Sequence, residues 1–387
     1  MKTALMTRDK IYRIREIIFL IFIQLIFCVG LLAQDKTEKV ENMVGDTEDS
    51  TLTRKLSFNG YPYAFYTPET QFAVGAGGIL IFYTSQDPVM LPSKITLGAY
   101  YTTNKQYKIT LNPIMYFMKN DLYISLPTSF GHFVDKFWGV GNNTPETGNE
   151  QYTMDVYAIT LEVQFPTILF ACDRMGIIFD YDNTEIVDKQ NNTLLIEDLA
   201  TGSDGGQIFG IGTDLVWDTR DNLFFPNSGG YQYFKFVAYP SKISDFLFYS
   251  LELDVRHYLA FSPDHVLAGE IYFAAVSGET PFYKLPALGG GERMRGYFEG
   301  RYRDNFYSTF QFEYRQYFWW KFGFVVFAGM GDVAEDMSKF HFKDFKYSYG
   351  AGLRFLFNKE QKVNLRMDIG IGQDGNSGLY FGIEEAF

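Results

Sequence analysis

Phe306-Tyr307-Ser308-Thr309-Phe310-Gln311-Phe312-Glu313-Tyr314-Arg315-Gln316-Tyr317-Phe318-Trp319-Trp320 alternates along almost its whole length. Phe306, Ser308, Phe310, Phe312, Tyr314, Phe318 and Trp320 fall on one parity, while Gln311, Glu313 and Arg315 fall on the other. Successive side chains of a strand point to opposite faces, so this stretch has an apolar face and a polar, charged face. A strand that is greasy on one side and ionic on the other suits a membrane barrel with a wet interior.

Immediately upstream lies Gly289-Gly290-Gly291-Glu292-Arg293-Met294-Arg295-Gly296-Tyr297. Three glycines allow positive φ and a tight reversal, and the loop delivers guanidinium and aromatic groups to one place. In a barrel with a polar lumen that place is the interior, where an Arg fork can pair bidentately with a carboxylate on the wall. Gln311, Glu313 and Arg315 share one face, so Glu313 is positioned to meet Arg295. The alternative is that Arg295 belongs to a solvated loop and Glu313 pairs with its neighbour Arg315.

The same alternation recurs across the chain. Of its 387 residues 18% are aromatic, including 39 Phe and 28 Tyr, with 36 Gly and 13 Pro. Mean hydropathy is nevertheless −0.11, so the apolar residues are dispersed by alternation and not gathered into continuous runs. A secreted β-sandwich or propeller would explain the alternation but not the aromatic load. About eleven segments precede the glycine-rich loop: Gly60 to Tyr66, Gln71 to Thr84, Ser93 to Thr103, Gln106 to Phe117, Asp121 to His132, Gln151 to Phe165, Thr167 to Asp182, Gln207 to Thr219, Gly230 to Tyr239, Asp245 to Phe261 and His265 to Gly278. Phe306 to Trp320, Phe322 to Val333, Lys346 to Phe357, Lys362 to Gly372 and Gly378 to Phe387 follow it. The expectation is an all-β, transmembrane antiparallel β-barrel of about 16 strands with a lumenal loop. The long connections (about 133–150, 183–206, 279–305 and 333–345) all follow odd-numbered segments, which assigns them to one rim.

The N-terminus supplies a compartment. Lys2, Arg8, Lys10, Arg13 and Arg15 precede an apolar run from Ile17 to Ala33. This predicts a signal peptide over residues 1–33 in preference to an inner-membrane anchor, which would tether a barrel destined for another membrane. Residues 34–56 are polar and acidic and read as a flexible periplasmic tail, leaving 57–387 as the barrel. Cys28 follows bulky Phe27, which argues against lipidation, and Cys172 alone then permits no internal disulfide. The net charge is −12, or −15 without the five basic and two acidic residues of 1–33, and argues against nucleic acid as a partner. The expected setting is the outer membrane of a Gram-negative-type bacterium, spanned many times, with its lipids as partners.

No enzyme, cofactor or metal site is expected. His132, His257, His265 and His341 are scattered, and Asp374-Gly375-Asn376-Ser377-Gly378 holds a Ser with no adjacent His, as in a polar hairpin loop. Trp138 and the Trp319-Trp320 pair read as interfacial belt residues. Leu379, Phe381, Ile383 and Phe387 predict one face of the last strand, with terminal Phe387 as an outer-membrane signature that Glu385 interrupts. The first segment carries Pro62 and is followed by Pro68, and the last carries Gly378 and Gly382. Both features weaken pairing where the ends of a barrel meet.

Three motifs together resemble the bacterial surface antigen family, the barrel of BamA/TamA-type outer-membrane assembly and translocation proteins. Met294-Arg295-Gly296-Tyr297 is similar to that family's Arg-Gly-aromatic signature between its eleventh and twelfth strands. Trp217-Asp218-Thr219-Arg220-Asp221-Asn222-Leu223-Phe224-Phe225-Pro226-Asn227-Ser228-Gly229-Gly230 is similar to its Asp-x-Arg-Asp…Pro…Gly turn, in which Asp218, Arg220 and Asp221 pair locally and Pro226 and Gly229 shape a periplasmic turn. Glu313-Tyr314-Arg315 follows the loop. The likeness covers Tyr61 to Phe387, and it implies that Gly290, Gly291, Arg295, Gly296 and Tyr297 form the lumenal loop motif. The family's aromatic-x-Asp-x-Gly motif on the thirteenth strand is here Phe327-Ala328-Gly329-Met330-Gly331, with Asp332 displaced. This predicts Glu313 as the loop anchor and Asp332 as the alternative. The resemblance is to a subgroup without polypeptide-transport-associated domains. It implies an accessory role in outer-membrane protein assembly or translocation, with assembly components or client barrels as partners; the alternative is a passive pore or structural barrel.

Overall fold

The computed structural model describes residues 56–67, 71–262, 264–359 and 361–387. The predicted signal peptide, nearly all of the predicted tail and Pro68 lie outside the described residues. The described residues of the chain form one 17-stranded antiparallel sheet. In order, the strands are β1 (Ser57–Thr67), β2 (Gln71–Phe82), β3 (Ser93–Thr102), β4 (Tyr107–Phe117), β5 (Leu122–Ser125), β6 (Thr128–Lys136), β7 (Gln151–Pro166), β8 (Arg174–Asp188), β9 (Gly205–Asp218), β10 (Gly229–Tyr239), β11 (Phe248–Ser262) and β12 (His265–Gly278). A two-stranded hairpin, β13 (Ala287–Leu288) and β14 (Tyr302–Arg303), is set apart from the sheet. The sheet resumes with β15 (Phe306–Trp319), β16 (Phe322–Ala334), β17 (Lys346–Asn358), β18 (Val363–Gly372) and β19 (Ser377–Ile383).

β5 and β6 both pair with β4 on one side and β7 on the other, so they are halves of one stave and the sheet has 16 staves. The break falls at Leu126-Pro127, where the proline lacks the N–H a ladder needs. The segment expected from Asp121 to His132 is therefore divided. A second difference concerns Thr167 to Asp173, expected within a strand. These residues form a turn, with Ile168 and Phe170 exposed and the Ala171 carbonyl accepting from Trp217 Nε1 at 2.8 Å, and β8 runs instead from Arg174 to Asp188. Their apolarity belongs to the rim.

Alternation is complete where it matters. On β15, Phe312 is 60% exposed on the outer face while the adjacent Glu313 is fully buried inside. Ile369 and Ile371 of β18 face outward, whereas Asp368 and Gly370 face the lumen. The long connections (137–150, 189–204, 279–305, 335–345) leave one rim. There Phe137, Leu195, Ala200 and Phe282 pack into an apolar cluster with Tyr152 and Met154 over the mouth.

The two ends of the sheet meet differently from its interior. Among the described residues no backbone ladder joins β1 to β19, and β19 pairs only with β18, from Leu365↔Ile383 to Ile371↔Ser377. Side chains bridge the ends near the short-turn rim: Asn358 Nδ2 donates to Ser57 Oγ at 3.0 Å, and Lys94 pairs with Glu384 at 2.6 Å.

Candidate functional site

The connection from β12 to β15 enters the lumen. Its β13–β14 hairpin carries the glycine-rich tip, with Gly289, Gly290 and Gly296 at φ of +114°, +109° and +118°. The tip lies flat on β18 because both surfaces are bare. A Cβ on Gly370 would stand 2.6 Å from the Gly296 nitrogen, and one on Gly296 would stand 2.7 Å from the Gly372 nitrogen. No side chain can be accommodated at such separations without displacing the backbone.

This seating delivers Arg295 to the wall. Its guanidinium donates to Glu313 on β15 and, at 2.7 Å, to Asp368 on β18, and it lies 3.5 Å from the centre of the Phe327 ring on β16. All three ionic side chains are fully buried. Glu313 also accepts from Arg315 at 2.8 Å, so both partners expected for Glu313 are present together. Asp368 accepts from Arg354 and from Arg366 (3.2 Å), and Arg354 continues to Glu385 at 2.7 Å. The backbone of the tip is fastened as well. Arg366 donates to the Gly291 carbonyl (2.8 Å), Gly290 N–H to the Tyr297 carbonyl (3.2 Å), and Gly296 N–H to the Tyr380 hydroxyl (2.8 Å). The Tyr297 hydroxyl donates to the Tyr347 carbonyl (2.9 Å) and accepts from Gln373 N–H (2.8 Å).

A second anchor joins the one expected from the sequence. Arg293 donates to Asp254 (2.8 Å) and Glu270 (3.1 Å) on β11 and β12, and stacks 3.6 Å over Tyr272. With Met294 at φ +51° between them, Arg293 and Arg295 reach adjoining stretches of wall, Arg293 on β11 and β12 and Arg295 on β15 and β18. The loop is thus fastened along one continuous arc of wall from β11 to β18.

Three residues stand elsewhere than the sequence pattern suggests. Asp332, the alternative anchor, does not meet Arg295 and accepts instead from Asn142 at 3.3 Å. It sits five residues beyond Phe327, at the rim end of β16 where alternation of exposure has ceased, and is fully buried against the 137–150 connection. Phe387 does not continue the face of Leu379 and Phe381. The chain leaves β19 after Ile383, and Phe387 is buried against Tyr258 and Ala268 while its carbonyl accepts from Arg315 at 2.7 Å. The charge of Glu385, which breaks the apolar face, is what draws this tail inward to Arg354. Trp138 is buried beneath the rim loops, 5.3 Å from Phe298 and 5.1 Å from the Arg301 guanidinium, while Trp319 and Trp320 are exposed.

The turn after β9 is held by its own polar groups. Asp218 pairs with Arg220 at 2.7 Å, and Arg220 stacks over Tyr231 at 4.4 Å. Asp221 accepts from Asn227 N–H (2.7 Å) and Ser228 N–H (3.1 Å), and Gly229 takes φ +91° with no room for a Cβ beside the Thr219 carbonyl. Leu223, Phe224 and Pro226 of this turn floor a polar chamber of about 450 Å³ roofed by Glu292 and Arg293.

Asp368 and Arg354 carried a readable signal. Arg366-Met367-Asp368 repeats the alternating charge of Glu313-Tyr314-Arg315 on an otherwise apolar strand. Charges recurring at i, i+2 within such a strand mark its lumenal face.

Residues 92–387 match the family model described as the Omp85 superfamily domain. Among solved structures, the chain is similar to BamA from Haemophilus ducreyi lacking POTRA domains 1-3, with TM-score 0.53 and 15% identity, covering 85% of this chain and 69% of that one. It is also similar to CdiB from Acinetobacter baumannii, with TM-score 0.51 and 10% identity, covering 84% of this chain and 59% of that one. No curated protein matches it in sequence. A barrel of 16 staves with an inward Arg-Gly-Tyr loop, matched by the family model over most of its length, makes this chain an outer-membrane β-barrel of the Omp85 superfamily.

Proposed function

We propose that this protein serves outer-membrane protein assembly or translocation in a Gram-negative-type bacterium, working at the seam between β1 and β19 beside other assembly components. The observation that carries this reading is the absence, among the described residues, of a ladder between those strands, together with the early end of β19 at Ile383. An unpaired strand edge offers a row of N–H and C=O groups on which an incoming strand can be templated. The lumenal ion network keeps the rest of the barrel rigid while the seam parts. The inward tail supports the same reading, because Glu385 and Phe387 hang from β17 and β15 and are withheld from extending β19 along β1.

The test is a cysteine scan pairing positions 61–66 with 379–383 in a Cys172→Ser background, with assembly of outer-membrane proteins measured before and after oxidation. Loss of assembly on sealing, restored by reductant, is expected. Undiminished assembly through a sealed barrel contradicts the proposal, and solute conductance through that sealed barrel would identify a passive pore.

A further inference from the structure

The turn between β9 and β10 does more than connect them. β9 and β10 lie about halfway round the ring from β1 and β19, yet Phe224 of this turn is buried among Ile79 and Ile81 of β2, Val363 of β18 and Ile383 of β19. Lys94 of β3 lies 5.2 Å over the same ring. The adjacent Phe225 reaches another stave, packing 5.3 Å from Tyr317 of β15. A hairpin turn that only reverses the chain has no reason to bury two aromatic rings against distant walls. This one is also built to hold its shape. Asn222 Oδ1 accepts from the N–H groups of Phe224 (2.9 Å) and Phe225 (2.8 Å), and Asp221 grips Asn227 and Ser228.

The residues that receive Phe224 belong to both sides of the seam. Ile79 and Ile81 stand on the strand next to β1, while Val363 and Ile383 stand on β18 and at the end of β19. Parting β1 from β19 separates these groups and exposes the ring and its socket to water, at a cost set by the apolar area they share. We propose that Phe224 is a clamp residue: the β9–β10 turn is a strut across the short-turn mouth that holds the seam closed from inside. The clamp rests on the proposed function of the seam only for its biological use, since its action on the seam is a property of the barrel itself.

The experiment places spin labels at Val74 and Leu379, exposed outer-face positions on β2 and β19, in a Cys172→Ser barrel reconstituted in lipid nanodiscs, and reads their distance distribution. The clamp predicts that Phe224→Ala adds a population lengthened by more than about 5 Å, one inter-strand spacing. Phe224→Leu, which refills the socket, should restore the wild-type distribution. Phe248→Ala, an equally large deletion in the β10–β11 wall, should leave it unchanged, and retained heat-modifiable migration identifies the folded variants. Unaltered distances in folded Phe224→Ala, or the same lengthening in Phe248→Ala, overturn the clamp. Because no assembly activity is measured, this outcome is independent of the cysteine-sealing test.

Discussion

The wall from β15 to β18 and the seam from β19 to β1 are parts of one sheet held in opposite ways. The wall has continuous ladders and a lumenal network in which Arg295, Arg315, Arg354 and Arg366 alternate with Glu313, Asp368 and Glu385. At the seam no ladder is formed among the described residues, and closure depends on side chains such as Asn358, Lys94 and Phe224. Backbone pairing plus buried ions makes a stave hard to move. Side-chain closure leaves it separable without disturbing the remaining hydrogen bonds.

The largest effect is expected at Arg295. Arg295→Ala leaves Glu313 and Asp368 short of a buried cation and should destabilise the barrel by about 3–5 kcal/mol, read from urea unfolding in lipid vesicles. The exchange Arg295→Glu with Glu313→Arg should not rescue it, because the new Glu faces Asp368 and the new Arg faces Arg315. Wild-type stability of the single variant would reduce the wall to a solvated surface and erase the contrast with the seam. Gly370→Ala is expected to cost about 1–3 kcal/mol by overpacking the tip, with the 289–297 loop becoming accessible to protease. Unchanged protection of that loop would show that the bare strip on β18 is not what seats it.

Arg293→Ala should cost less than Arg295→Ala, roughly 1–2 kcal/mol, because the Arg293 side chain is 17% exposed where that of Arg295 is fully buried, and Arg256 still serves Asp254 and Glu270. A loss equal to that of Arg295→Ala would make the two anchors equivalent and shift the rigid wall to include β11 and β12. The smallest effect concerns the strut. Partial burial raises the Asp221 carboxyl, but the N–H groups of Ser228 and Asn227 outweigh it and hold it below its ordinary value. A carboxyl depressed by folding stabilises above its unfolded pKa, about 3.9, and loses that contribution as pH falls through the folded value. Asp221→Ala should therefore cost about 1 kcal/mol at neutral pH, and the deficit should disappear well below pH 4. A deficit constant with pH would contradict the assignment.

The barrel was legible because membrane and lumen impose opposite chemistry on alternate residues, and β15 displays that rule almost without interruption. The loop was legible from its glycines, and Arg295 from its place beside them. What escaped was whatever depends on where strands end. Ile168-Leu169-Phe170 and Phe387 are apolar at strand-like positions, yet the first form a turn and the last is folded into the lumen. Periodicity carries no information about a chain that departs from the wall. Asp332 misled because a motif position was followed past the parity of its strand, while Asp368, on the lumenal parity of β18 two staves away, took the role.

The contrast between wall and seam is tested most directly by hydrogen–deuterium exchange of the full barrel in lipid nanodiscs. Rapid exchange is expected along β1 and β19 and slow exchange along β15 to β18, with the gap narrowing when Arg295 is replaced by Ala. Equal protection of β1, β19 and the β15–β18 wall in the wild-type barrel would contradict a seam held by side chains alone.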